Sequence, residues 1–312
     1  MKLTDLLGCV GGATFFLLAS AWIPVFGPFL SLLTPLPFLY YSTKLGLYQG
    51  IKLAAAAMLA IGLITRLTGY PQIILFGVEF SLLGLALSEL MRRRFSLGQT
   101  IFFATAFMLV VGWCFLFFIS LSKNVGPFEM ISEYLQGHLK ETIEAYEETG
   151  ITKENALELE QYAKVFMDII SKIYPSLMIV GTGFAVWLNV IIARPLFRIG
   201  HLEYPGFISM DRWQTPESLV WGVIVSGFAL FFSSGGITLI AVNVLIVIMV
   251  AYLFHGLSIV LFFLNKYNIP SWMRVGIYFL IIIQQLFLVV LALAGLFDQW
   301  IDFRKIHRRA QG

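Results

Sequence analysis

The feature that most constrains this chain is the run from Ile237 to Leu264, which contains no Asp, Glu, Lys or Arg. Roughly 20 helical residues cross a bilayer core of about 30 Å, so this run alone is long enough to span one. Backbone in lipid must satisfy its own hydrogen bonds, which leaves helices or a closed barrel. Barrel strands alternate apolar and polar residues, and Ile237 to Val250 does not alternate. Helices are therefore the expected element. The whole chain agrees: 59% of its 312 residues are hydrophobic and 12% charged, where soluble domains carry about 25% charged residues. Cys9 and Cys114 both sit in apolar runs and read as small packing or lipid-facing residues, with no metal or disulfide implied.

Nine hydrophobic segments can be read along the chain: about 6–23, 29–42, 45–65, 70–91, 97–121, 175–193, 219–232, 237–264 and 275–297. The first follows Lys2 and contains Ala19-Ser20-Ala21, a small-residue pattern of the kind found at signal cleavage sites. Its basic region is weak, with one Lys and Asp5, so a retained helix is the expectation. The second segment holds Pro35 and Pro37 and is expected to be kinked or only partly spanning.

Composition changes abruptly at 123–173, which carries five Lys against nine Glu and one Asp. Phe128, Ile131, Leu135, Leu139, Ile143 and Tyr146 still recur at helical spacing. A second amphipathic stretch runs from Lys153 to Ile173. The organisation expected is therefore three parts: membrane helices over 1–122, an acidic helical hairpin outside the cytoplasm over 123–173, and further membrane helices with a basic tail over 174–312.

Basic residues mark cytoplasmic loops. Arg92-Arg93-Arg94 is the strongest such mark. Counting from it places the N-terminus, Lys44, Arg194, Arg198, Lys266 and Arg274 inside, and the acidic hairpin outside. Nine crossings would then put the basic tail outside, against the rule. Either one of the last three segments is re-entrant or the count is eight.

Intramembrane polar residues are the candidate chemistry. Glu79 stands mid-segment, where a carboxylate costs several kcal/mol unless it is paired, protonated or beside a cavity. It is read either as a ligand, proton or ion contact, or as a packing residue. His255 and Asn243 are the other tentative contacts. Asn189, Gln284 and Gln285 read as helix ties. Glu89 is expected to pair with Arg92 or Arg93 at helical spacing. Gly46, Gly50 and Ala54 recur every four residues, as do Gly8 and Gly12, and small residues so spaced let helices pack closely or dock a partner. No phosphate-cradling loop, nucleophile elbow or zincin motif occurs. No enzyme activity, metal, cofactor or nucleic-acid partner is expected.

Three stretches carry a family resemblance: Pro35-Leu-Pro37 with Gly46 and Gly50; His255-Gly256-Leu257 through Phe263, Asn268, Pro270, Trp272 and Arg274; and Gly295-Leu-Phe-Asp298-Gln-Trp300-Ile-Asp302-Phe-Arg304-Lys305. On these the chain resembles the YybS-like family of bacterial membrane proteins, a family of unknown function. That family is distantly similar in its first half to the S components of energy-coupling-factor vitamin transporters and to the rod-shape protein MreD. The resemblance implies an all-α bundle: a six-helix N-terminal core with both ends cytoplasmic, plus two or three further spans, in a bacterial cytoplasmic membrane. It also implies that Gly8 and Gly12 could dock a coupling subunit, as the first helix of S components does. Two functions follow as expectations. One is a small-molecule binding or transport component, its ligand unspecified. The other is a scaffold that positions protein partners in the bilayer, with another membrane subunit as its contact.

Overall fold

The computed structural model describes residues 2–23, 26–71, 73–126, 153–232 and 234–304, with isolated residues between 129 and 137. Its described elements are helical: α1 Leu3–Trp22, α2 Gly27–Ser31, α3 Pro35–Leu45, α4 Leu47–Leu67, α5 Ile73–Arg92, α6 Leu97–Lys123, α7 Lys153–Ile199, α8 Leu219–Phe232, α9 Gly236–Lys266, α10 Ser271–Ile283 and α11 Gln285–Ile301, with a 3₁₀ turn at Met210–Arg212. Among the described residues, six helices are long and apolar enough to cross a membrane, or seven if the bent pair α10–α11 is one span. The fold is an all-α, polytopic membrane bundle. The chain divides into two compact units, 1–122 with 181–207, and 123–180 with 208–312.

In the first unit the core is Cys9, Ala13 and Leu17 of α1, Phe38 of α3, and Leu53, Ala54, Ala57 and Ile61 of α4. Pro35 and Pro37 do not kink a helix; they begin one. A proline in the first turn gives up an N–H that has no helical partner anyway. The result is a short helix, buried from Pro35 to Leu39, that packs against α5 where Gly84 lacks a side chain. Lys44 at the end of α3 meets Asp5 in the first turn of α1 at 2.7 Å, so these two polar residues lie at one end of the unit. Glu89 bonds both Arg92 and Arg93, as their spacing predicts. Ser96 and Gln99 cap α6 reciprocally.

The acidic hairpin expected over 123–173 lies largely outside the described residues. Its second arm is helical, but it does not end before the sixth segment. One helix, α7, runs through Pro175 without a break. Proline removes a backbone donor and wedges its ring against the preceding turn, so continuity needs a repair. Asn243 of α9 supplies it. Its Oδ1 accepts from Ser176 N at 2.9 Å, and its Nδ2 donates to Lys172 O at 2.8 Å. The amide thus bridges the two backbone groups of one helical rung.

In the second unit α8 runs antiparallel to α9 across a turn at Gly235 (φ +68°). Gly222 of α8 sits against Ile248 of α9. The segment expected as one span over 275–297 is instead two helices bent by 100° at Gln284. Arg304 Nη1 donates to Asp211 O at 3.1 Å, Asn265 Nδ2 donates to Asp211 Oδ2 at 3.3 Å, and Arg274 Nη1 donates to Asn265 Oδ1 at 2.8 Å. The 208–217 loop, the end of α9, the start of α10 and the tail therefore meet at one end of the unit. The α10–α11 pair leaves that end and returns to it.

Candidate functional site

The site forms where α11 crosses α9. A side chain at Gly256 would collide with the Leu291 carbonyl, and one at Gly295 would collide with the Tyr252 carbonyl. The two glycines let the backbones touch, which is the use of small residues in membrane bundles. Beside this contact, His255 and Asp298 face each other.

His255 Nε2 lies 3.0 Å from Asp298 Oδ2. Arg304 Nη2 lies 2.9 Å from that same oxygen and 2.7 Å from His255 Nε2. His255 Nδ1 is 3.0 Å from Thr215 Oγ1, which also accepts from Gln299 Nε2 at 3.2 Å. Arg304 Nη1 donates to Ser258 Oγ at 2.7 Å and to Trp213 O at 3.0 Å. Phe303 N donates to Asp298 Oδ1 at 2.8 Å. His255, Asp298 and Arg304 are 1%, 0% and 2% exposed. Asp302 makes the geometry possible: it takes the left-handed conformation (φ 47°) at the C-cap of α11, so the chain folds back and Arg304 reaches the end of its own helix.

Burying an arginine and an aspartate is costly unless their remaining donors and acceptors are satisfied. Here Arg304 Nη1 and Nη2 and both Asp298 oxygens have partners, while Arg304 Nε is buried with none among the described residues. Beside the cluster, burial works against the Asp211 carboxylate, but hydrogen bonds from Ser209 and Asn265 outweigh it and hold its pKa below the ordinary value. In the first unit, burial pushes the Tyr204 phenol up to about 12.

Thr215, His255 and Asp298 line up as a hydroxyl, an imidazole and a carboxylate, the order used in nucleophilic catalysis. Thr215 is only 5% exposed, and Arg304 occupies the position beside both the imidazole and the carboxylate.

Of the residues singled out from sequence, His255 enters this cluster. Asn243 is taken up by the rung at Pro175 and by Leu239 O at 2.8 Å. Glu79 lies elsewhere, half-buried on α5, with Gly112 of α6 beside it. It has no hydrogen-bond or ion-pair partner among the described residues. Gly8 is filled by the Tyr41 ring and Gly12 faces Pro37. Gly50 faces Ser42, and Ala54 is in the core. Gly46 departs from the stripe: it is the joint between α3 and α4, with φ +81°. Asp298, Arg304, Thr215 and Ser258 were not singled out as site residues. Asp298 and Arg304 had one signal, since both lie in a stretch that carries the family resemblance, as His255 does.

Comparison with known proteins bears on the whole chain. It is 22% identical over 294 residues to the "Uncharacterized protein YybS" of Bacillus subtilis (strain 168), with 92% of each chain covered. No solved structure matches it. The family described as "Predicted membrane protein (DUF2232)" matches residues 13–299, nearly the full length, and the chain belongs to that family.

Proposed function

We propose that this protein is a small-molecule binding or transport component of a bacterial cytoplasmic membrane, with its N-terminus on the cytoplasmic side, and that it is not an enzyme. The observation that carries the reading is Glu79. Its carboxyl sits within a membrane-length helix, half-buried and without a hydrogen-bond or ion-pair partner among the described residues. An intramembrane ionisable residue of this kind is by default a functional group, because the bilayer penalises it and packing does not need it. The missing side chain at Gly112 leaves room beside the carboxyl. The reading stands on Glu79 and does not require S-component-like docking, since Gly8 and Gly12 are occupied by Tyr41 and Pro37.

Native mass spectrometry of the protein in mild detergent tests this, with Glu79→Ala and Glu79→Gln as comparisons. A bound small molecule in wild type that is lost in Glu79→Ala supports the reading, and its mass begins to identify it. An empty wild type carrying a second polypeptide would favour the scaffold role instead.

A further inference from the structure

The three partners around His255 cannot all be satisfied in one protonation state. A guanidinium nitrogen only donates and a carboxylate oxygen only accepts. Nε2 lies within bonding distance of both, 2.7 Å from Arg304 Nη2 and 3.0 Å from Asp298 Oδ2. With the ring proton on Nδ1, that N–H donates to Thr215 and Nε2 accepts from Arg304. The group then holds one cation and one anion. A second ring proton converts Nε2 to a donor. It then donates to Asp298 and loses Arg304 as a donor, and two cations now share one carboxylate where no member is more than 2% exposed.

The charges facing the imidazole are few among the described residues. Asp298 comes from α11 and Arg304 from the tail. The 208–217 loop offers the Thr215 hydroxyl and the Trp213 ring, while the Asp211 carboxylate turns to Ser209 and Asn265. α8 has no titratable residue. Arg274 of α10 is bonded to Asn265 and to the Ile269 and Leu264 carbonyls. Tyr252 lies on the helix of His255 itself. Of the groups bonded to the imidazole, Asp298 is the single anion.

The member free to leave is Arg304. His255 and Asp298 are fixed within helices, whereas Arg304 lies just past Ile301, the last residue of α11. Its departure breaks the bonds to Ser258, Trp213 O and Asp211 O together. We propose that His255 is a proton-operated latch on the C-terminal segment: the neutral imidazole holds Arg304 against α9 and the 208–217 loop, and the protonated imidazole expels it. The latch is independent of any ligand at Glu79.

Hydrogen exchange of the full chain in phosphatidylcholine nanodiscs reads the latch directly, because Phe303 N–H bonds Asp298. Exchange is compared at about pH 5.5 and about pH 8, either side of the range in which imidazoles titrate, after correction for intrinsic rates. The peptide holding Phe303 is expected to exchange roughly tenfold faster at the lower pH, as a locally opened segment does, with the Gly235 turn unchanged. His255→Gln keeps an acceptor for Arg304 at every pH and should stay protected at both. Arg304→Gln removes the second cation and should exchange fast at both. Equal protection of wild type at the two pH values overturns the proposal, as does pH dependence that persists in either variant.

Discussion

Arg304 and Asp298 form an ion pair of 2.9 Å in which neither side chain is exposed. The pair joins a residue just beyond α11 to the last turn of that helix, and through His255 it joins both to α9. Breaking a buried pair by removing one partner leaves an uncompensated charge and costs about 3–5 kcal/mol. Arg304→Met and Asp298→Asn should each lose stability on that scale in detergent denaturation. The double variant should lose less than the sum. Single losses below about 1 kcal/mol, the range of exposed pairs, would mean the pair is solvated.

The glycine crossing predicts a steric result. Gly256→Ala and Gly295→Ala each push a methyl into a backbone carbonyl, which cannot swing away as a side-chain end can. Overpacking typically costs about 1–3 kcal/mol, and both variants should melt well below wild type. Gly276→Ala meets nothing within 4 Å and should be neutral or stabilising. Equal melting of all three would separate α9 from α11.

Asn243 should couple to Pro175. Asn243→Ala strands Ser176 N–H and Lys172 C=O, at about 1–3 kcal/mol for unsatisfied buried groups. Pro175→Ala lets the rung close on itself, so Asn243→Ala should cost much less in that background. A double-mutant cycle on unfolding free energies measures this. Additive effects would show that the amide does not bridge the rung.

The returning α10–α11 pair makes a prediction about sides. In a background with Cys9 and Cys114 replaced by Ala, cysteines at Arg212, Tyr267 and Trp300 should react with an impermeant reagent from one side of sealed vesicles. A cysteine at Ser234 should react from the other. Labelling of Trp300 together with Ser234 would make α10–α11 a crossing span.

Much of this architecture is legible in residue order because the bilayer is a harsh filter. Apolar length reveals α4, α5, α6 and α9 almost to their ends, since lipid rejects anything that leaves backbone unpaired. The Glu89 pairing follows from helical spacing alone. The conflict between the Lys/Arg distribution and nine crossings left a re-entrant segment or a count of eight open, and the bend at Gln284 is a feature that no residue count shows. The same holds at Pro175, where a helix-breaking residue is overruled by an amide more than sixty positions away.

What residue order determined by itself is thus the solvent of this protein, its helical class and its family, all of which rest on local composition and spacing. Tertiary structure alone decided what the polar residues do. It sent Asn243 to a helix rung, turned Gly8 and Gly12 inward, and left Glu79 without a polar partner among the described residues. It also gathered His255, Asp298 and Arg304 at a single point, across separations of 43 and 49 residues from the histidine. A helix pattern repeats every few residues, whereas a buried polar cluster is set by which helices cross and at what depth. That depends on packing between backbones, here at Gly256 and Gly295, which no local period records.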